Sequence, residues 1–247
     1  MDLRGLLSLK SNLTHRNKLH VLPNVLTLSN ACCGFLSSMY ALQGEWGTAA
    51  YLIFCAAFFD MLDGRMARFL GLTSYLGAQL DSLADAISFC CAPALLIATL
   101  HGDGMHLLAI VPSLLFLCGG IFRLARFNVQ SEAKIQQDFF SGLPTPVAAL
   151  LLGGITITFG ASLSIPFWYQ DILIALIVGF LAFLMVSNFP FPAFKKRFLI
   201  KRYKITLSYI AVCGVVSWIM GLPLLVAAPL SYILGPMLQW CIDMMKH

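Results

Sequence analysis

Four aspartates, two glycines and an arginine recur at helical spacing in a stretch of chain that is otherwise apolar. Asp60, Asp63, Gly64, Ala67 and Arg68 stand at offsets of 0, 3, 4, 7 and 8, so on a helix they share one face, with Met61, Leu62, Met66 and Phe69 turned elsewhere. Gly77, Asp81, Ala84, Asp85 and Ser88 do the same at 0, 4, 7, 8 and 11. The residues FLGLTSYL between Arg68 and Gly77 include Gly71, Thr73 and Ser74, enough for a turn and a new helix start. Two antiparallel helices would then present Asp60, Asp63, Asp81, Asp85, Gly64, Gly77 and Arg68 to one another.

Carboxylates crowded together in apolar surroundings lose hydration and repel each other, and divalent cations remove the conflict. An all-oxygen donor set suits Mg²⁺, Mn²⁺ or Ca²⁺ rather than zinc or copper. Four carboxylates can hold two ions roughly 3.5–4 Å apart, the arrangement that clamps the attacking and leaving oxygens in phosphoryl transfer. Gly64 and Gly77 leave room for phosphates or a base to approach the backbone, and Arg68 can bond a phosphate oxygen. A purely structural charge network is the bland alternative; four aspartates with paired glycines and an arginine weigh against it.

The pattern D-x2-D-G-x2-A-R-x8-G-x3-D-x3-D is matched at every fixed position from Asp60 to Asp85. It resembles the signature of the CDP-alcohol phosphatidyltransferase family. The resemblance implies that Asp60, Asp63 and Asp81 are metal ligands, with Asp81 serving both ions. It implies that Asp85 is both a ligand of the second ion and the general base. Gly64, Arg68 and Ser74 would meet the CDP group.

The elements that carry this face must lie in a membrane. The chain of 247 residues is 59% hydrophobic and 11% charged, where a soluble domain has about 25% charged residues, and its mean hydropathy is +0.84. Apolar runs near 20 residues recur and no ten-residue alternating pattern does, so the expectation is an all-α integral membrane protein with about eight transmembrane helices. The eight cysteines form neither C-x-x-C motifs nor His clusters and read as small packing residues.

Residues 1–22 read as a cytoplasmic, interfacial segment. The expected spans are 24–43, 48–69, 75–100, 106–127, 143–162, 171–190, 205–222 and 225–243, with 23–192 as the catalytic six-helix domain, 193–204 as a basic linker and 205–247 as two additional helices. Asn24, Thr27 and Asn30, with Gly34 near the same stripe, give the first span a polar face. Interhelical hydrogen bonding would explain such a face equally well. P-N-x-x-T-x-x-N-x-x-x-G also resembles the segment that borders the nucleotide pocket in serine-using family members, which makes Asn24 and Thr27 candidates for the donor.

The fourth span ends in Phe122-Arg123-Leu-Ala-Arg126-Phe127-Asn128, and Phe140-Ser-Gly142-Leu-Pro144-Thr-Pro146 makes a fixed bend before the fifth. Together they resemble the serine-using branch of the family. Arg123 or Arg126 could pair with a serine carboxylate or with a phosphate of the lipid donor. The implied reaction transfers the phosphatidyl group of CDP-diacylglycerol to L-serine. The alternatives are glycerol phosphate, inositol phosphate or choline as acceptor, and, from a different class, cation transport.

With the N-terminus inside, all 16 Lys and Arg fall on one side of eight spans, including the run from Lys195 to Lys204, and the opposite loops near 44–47, 101–105, 163–170 and 223–224 have none. That asymmetry is the positive-inside pattern. It puts the aspartate face at the cytoplasmic side, and the resemblance implies a bacterial inner membrane. The basic run reads as an anchor on anionic lipid rather than a nucleic-acid site. The resemblance further implies a homodimer.

Overall fold

The computed structural model describes residues 3–71, 74–100, 107–132, 139–160, 167–192 and 224–244. The described residues are helical almost throughout, and their helices run α1 (Leu3–Leu42), α2 (Trp46–Leu70), α3 (Tyr75–Asp85), α4 (Ala92–Thr99), α5 (Leu107–Glu132), α6 (Thr145–Phe159), α7 (Phe167–Val186) and α8 (Leu224–Met244). A π-helical turn, Ala86–Cys91, joins α3 to α4. Two three-residue strands, β1 (Phe139–Ser141) and β2 (Pro190–Pro192), pair antiparallel.

Among the described residues, four segments are long and apolar enough to cross a membrane: Leu22–Leu42, Trp46–Leu70, Tyr75–Thr99 and Leu107–Ser131. Thr145–Phe159, Asp171–Val186 and Leu224–Met237 are shorter apolar helices. This is an all-α integral membrane protein. The expected seventh span, 205–222, and the basic run 195–204 lie outside the described residues. Large apolar side chains such as Phe35, Phe58, Leu115, Leu176 and Phe183 face outward, as a hydrocarbon solvent allows.

Two departures from the expected elements bear on the site. The first helix is longer than its span: α1 runs unbroken through Pro23, while its membrane-crossing part is Leu22–Leu42. The third span is not one regular helix either. Pro93 has no N–H to donate to the carbonyl one turn back, and just before it the helix widens, Ala92 donating its N–H to the carbonyl of Ile87, five residues earlier. Such turns occur mostly as single-turn bulges inside α-helices, and frequently at functional sites.

Small residues let the first helices approach closely, which is how helices associate where lipid gives no hydrophobic drive. Ala41, Ala49, Ala50, Ile53 and Ala56 pack with Phe89, Ala92 and Leu96 into one buried cluster. Ser37 adds a hydrogen bond from its hydroxyl to the Ala49 carbonyl, 2.8 Å. A second cluster, built on Phe116, Leu143, Leu152, Val178, Leu181, Met185, Val226 and Ile233, joins α5, α6, α7 and α8. The expected bend before α6 is present: Gly142 has φ +86°, its N–H bonds Phe189 O at 2.9 Å, and Leu143 N–H bonds Leu184 O at 3.1 Å.

Candidate active site

The hairpin between α2 and α3 closes on two local devices. Gly71 takes a left-handed conformation, φ 63°, and returns its N–H to the carbonyls of Ala67 and Arg68. Ser74 caps α3, its hydroxyl accepting the Gly77 N–H at 3.0 Å. α3 packs on α1 and on the π turn that follows it, and the aspartates of α2 and α3 converge through their side chains.

Carboxylate oxygens of Asp60, Asp63 and Asp81 come within 4.8 Å of one another. Asp63 is buried, and its Oδ2 has no hydrogen-bond partner. An orphaned anionic oxygen beside two more carboxylates, in an apolar bundle, is what a hard cation with oxygen ligands would satisfy. The residues present fit a divalent metal. Asp85 is not in this group. It lies one turn beyond Asp81, within the fields of Asp60 and Asp81, and its Oδ1 accepts a hydrogen bond from Asn30 Nδ2 at 3.3 Å.

Beside the carboxylates opens a cavity of about 220 Å³. Asn24, Thr27, Asp63, Gly64, Arg68, Ser74, Gly77 and Asp81 all line it, and Arg123 and Arg126, the other candidates for a donor phosphate, do not. The two glycines shape it. A Cβ on Gly64 would stand 3.6 Å from the Arg68 Nη2, so the guanidinium folds over that glycine; a Cβ on Gly77 would stand 3.0 Å from Ser74 Oγ and 3.8 Å from Asn24 Oδ1. Thr27 is buried and donates its hydroxyl to the Pro23 carbonyl, 3.0 Å.

The two arginines of α5 part company. Arg123 is buried, stacks over the Phe127 ring, donates to Thr145 Oγ1 at 3.3 Å and feels the charge of Asp85. Arg126 reaches the end of α7: its guanidinium donates to the carbonyls of Met185, Val186 and Ser187 and to Asn188 Oδ1, at 3.0–3.2 Å. Asn128, from the same motif, accepts from Ser82 Oγ at 3.0 Å and ties α5 to α3.

Sequence reasoning left Asn30 and Ser88 out of the site. Asn30 is fully buried; besides the bond to Asp85, its backbone carbonyl accepts the Ser88 hydroxyl at 2.9 Å. Both had a signal: Asn30 in the polar stripe of the first span, Ser88 on the face of Asp81 and Asp85.

The model of the CDP-alcohol phosphatidyltransferase family matches residues 20–186. The chain is 31% identical to the CDP-diacylglycerol–serine O-phosphatidyltransferase of Helicobacter pylori, over 93% of this chain and 95% of that protein. It is 32% identical to the protein of the same description from Bacillus subtilis, over 72% of this chain and 94% of that one. To the archaetidylserine synthase of Methanothermobacter thermautotrophicus it is 36% identical over 69% of each.

Proposed function

We propose that this chain, which belongs to the CDP-alcohol phosphatidyltransferase family, transfers the phosphatidyl group of CDP-diacylglycerol to L-serine, giving phosphatidylserine and CMP. The observation that carries it is the orphaned Asp63 oxygen, grouped with Asp60 and Asp81 at the edge of the cavity that Arg68, Gly64 and Gly77 shape. Serine as the acceptor is supported by the descriptions of the similar proteins from Helicobacter and Bacillus.

Asp60, Asp63 and Asp81, with Asp85 as a fourth ligand, would hold two divalent cations, Mg²⁺ or Mn²⁺, with Ca²⁺ also suited to the oxygen donors. Bound there, the cations supply charge that neutralises the diphosphate and stabilises the departing phosphate of CMP. Arg68 adds hydrogen bonds to the phosphates; Asn24, Thr27 and Ser74 line the space for the cytidine. Asp85 accepts the proton of the serine hydroxyl as its oxygen bonds to the phosphorus that bears the diacylglycerol, and the phosphorus–oxygen bond to CMP breaks with its electron pair on CMP. Arg123, buried and within the field of Asp85, pairs with the serine carboxylate. Arg126 holds the end of α7 instead. The chemistry belongs to residues 23–192.

The charge asymmetry of the loops supports an N-terminus and an active site on the cytoplasmic side of a bacterial inner membrane. The family resemblance supports a homodimer, checked by the mass of the detergent-solubilised particle.

The test is CMP release by purified protein in detergent with CDP-diacylglycerol, Mg²⁺ or Mn²⁺ and each alcohol in turn. Release that needs serine and stops with chelator is expected. Release driven by glycerol phosphate, inositol phosphate or choline would overturn the acceptor and keep the carboxylate set. Metal-binding, folded protein that releases no CMP with any alcohol would overturn the reaction and favour cation transport.

A further inference from the structure

Asn30 sits within the membrane segment of α1 with no exposed surface. A carboxamide in an apolar helix is retained where it bonds a neighbour, and here the neighbour is Asp85, whose Oδ1 accepts from Nδ2 at 3.3 Å. The Asn30 Oδ1 has no partner. An unsatisfied buried oxygen destabilises the fold, so stability alone does not account for an amide at this position; the nitrogen's bond to Asp85 does.

Two more contacts make the same joint. The Asn30 backbone carbonyl accepts the Ser88 hydroxyl at 2.9 Å. One turn along α1, a Cβ on Gly34 would lie 2.6 Å from the Ser88 Cα, so the two backbones touch. Side chain, carbonyl and glycine of one α1 stripe thus fix residues 85 and 88, on either side of the start of the π turn. Asp60, Asp63 and Asp81 converge on each other; Asp85 is oriented from α1 instead.

We propose that Asn30 is a positioning residue for the general base, holding one oxygen of Asp85 in a fixed hydrogen bond and presenting the other to the acceptor hydroxyl. This rests on the reading of Asp85 as the base.

The test compares Asn30→Leu, close in size and without a donor, with Asp85→Asn and with the double variant, in CMP release with serine. The expected result is a fall in kcat of about 10- to 100-fold, with KM for serine and for CDP-diacylglycerol within about twofold and with Mn²⁺ affinity kept. The double variant is expected to be no slower than Asp85→Asn, because Asn30 acts through Asp85. Normal kcat in Asn30→Leu, a loss confined to KM or to Mn²⁺ affinity, or a further loss on top of Asp85→Asn would overturn the proposal. If the Leu variant does not fold, Asn30→Ala is measured in the same way. Near-normal turnover by Asp85→Asn would overturn the base itself; an inactive Asp85→Asn beside a normal Asn30→Leu would overturn only the positioning role.

Discussion

Arg123 and Arg126 leave α5 one turn apart and end in different surroundings. Arg126 is spent on the carbonyls that close α7, groups that a helix end leaves without partners. Removing it by Arg126→Ala should therefore cost about 2 kcal/mol of stability, the scale of hydrogen bonds to a charged donor. The melting midpoint in detergent should fall by several degrees while the KM for serine barely moves. Arg123 is buried beside Thr145, and Arg123→Ala should raise the KM for serine at least tenfold, with the KM for CDP-diacylglycerol nearly unchanged. Steady-state kinetics on the two variants check this; equal effects on serine dependence would remove the distinction. From sequence the two could not be separated, because spacing puts them on one face and only the end of α7, some sixty residues away, tells them apart. The carboxylates were easier to read. Asp60, Asp63 and Asp81 lie close in the chain, and a helical period with one turn between the halves is enough to bring them together. Asn30 was harder, since its partner Asp85 is 55 residues distant.

Elements show the same division between local and distant causes. The hairpin of α2 and α3 is set by Gly71 and Ser74, whose turn chemistry is written locally. The π turn has one local sign, Pro93, but proline more often kinks a helix than widens it, so the sequence pointed to a regular span. The pairing of β1 with β2 has no local sign at all; two prolines in β2 argue against a strand, and only an edge position tolerates them. Gly34 shows what the π turn depends on. Even Gly34→Ala would drive a methyl into the Ser88 backbone, where overpacking costs about 1–3 kcal/mol, and relief would come by moving the turn that follows Asp85. A displacement near 1 Å at a reacting group can cost about 100-fold in rate, so turnover should fall further than stability does. Ser88→Ala should not rescue Gly34→Ala, because the nearest fixed obstacle is the Ser88 Cα, 2.6 Å away. Rescue by that second change would show that the side chain alone is the barrier.

At the scale of the molecule, the proposed chemistry sits at one end of the described helices. The cavity opens where α2 ends and α3 begins, beside the hairpin that carries Arg65 and Arg68. Loop charge, read without reference to the site, supports the proposal that this same end faces the cytoplasm, where a water-soluble acceptor and divalent cations would meet a lipid-borne donor. The two assignments are independent, since one follows from every Lys and Arg along the chain and the other from four aspartates. They can also be tested together. In a chain whose native cysteines have been replaced, a cysteine at Glu45, in the turn between α1 and α2, should react with a membrane-impermeant maleimide on intact cells. A cysteine at Tyr75, the exposed first residue of α3 next to Ser74 at the cavity, should react only after the membrane is permeabilised. CDP-diacylglycerol with Mg²⁺ should then slow labelling at residue 75 and leave Glu45 unchanged, because the donor is proposed to seat its nucleotide against Ser74 and Gly77. The reverse sidedness would place the nucleotide pocket away from the cytoplasmic pool of CDP-lipid and serine, and the transferase reading would fail at the level of the membrane even with its carboxylates intact.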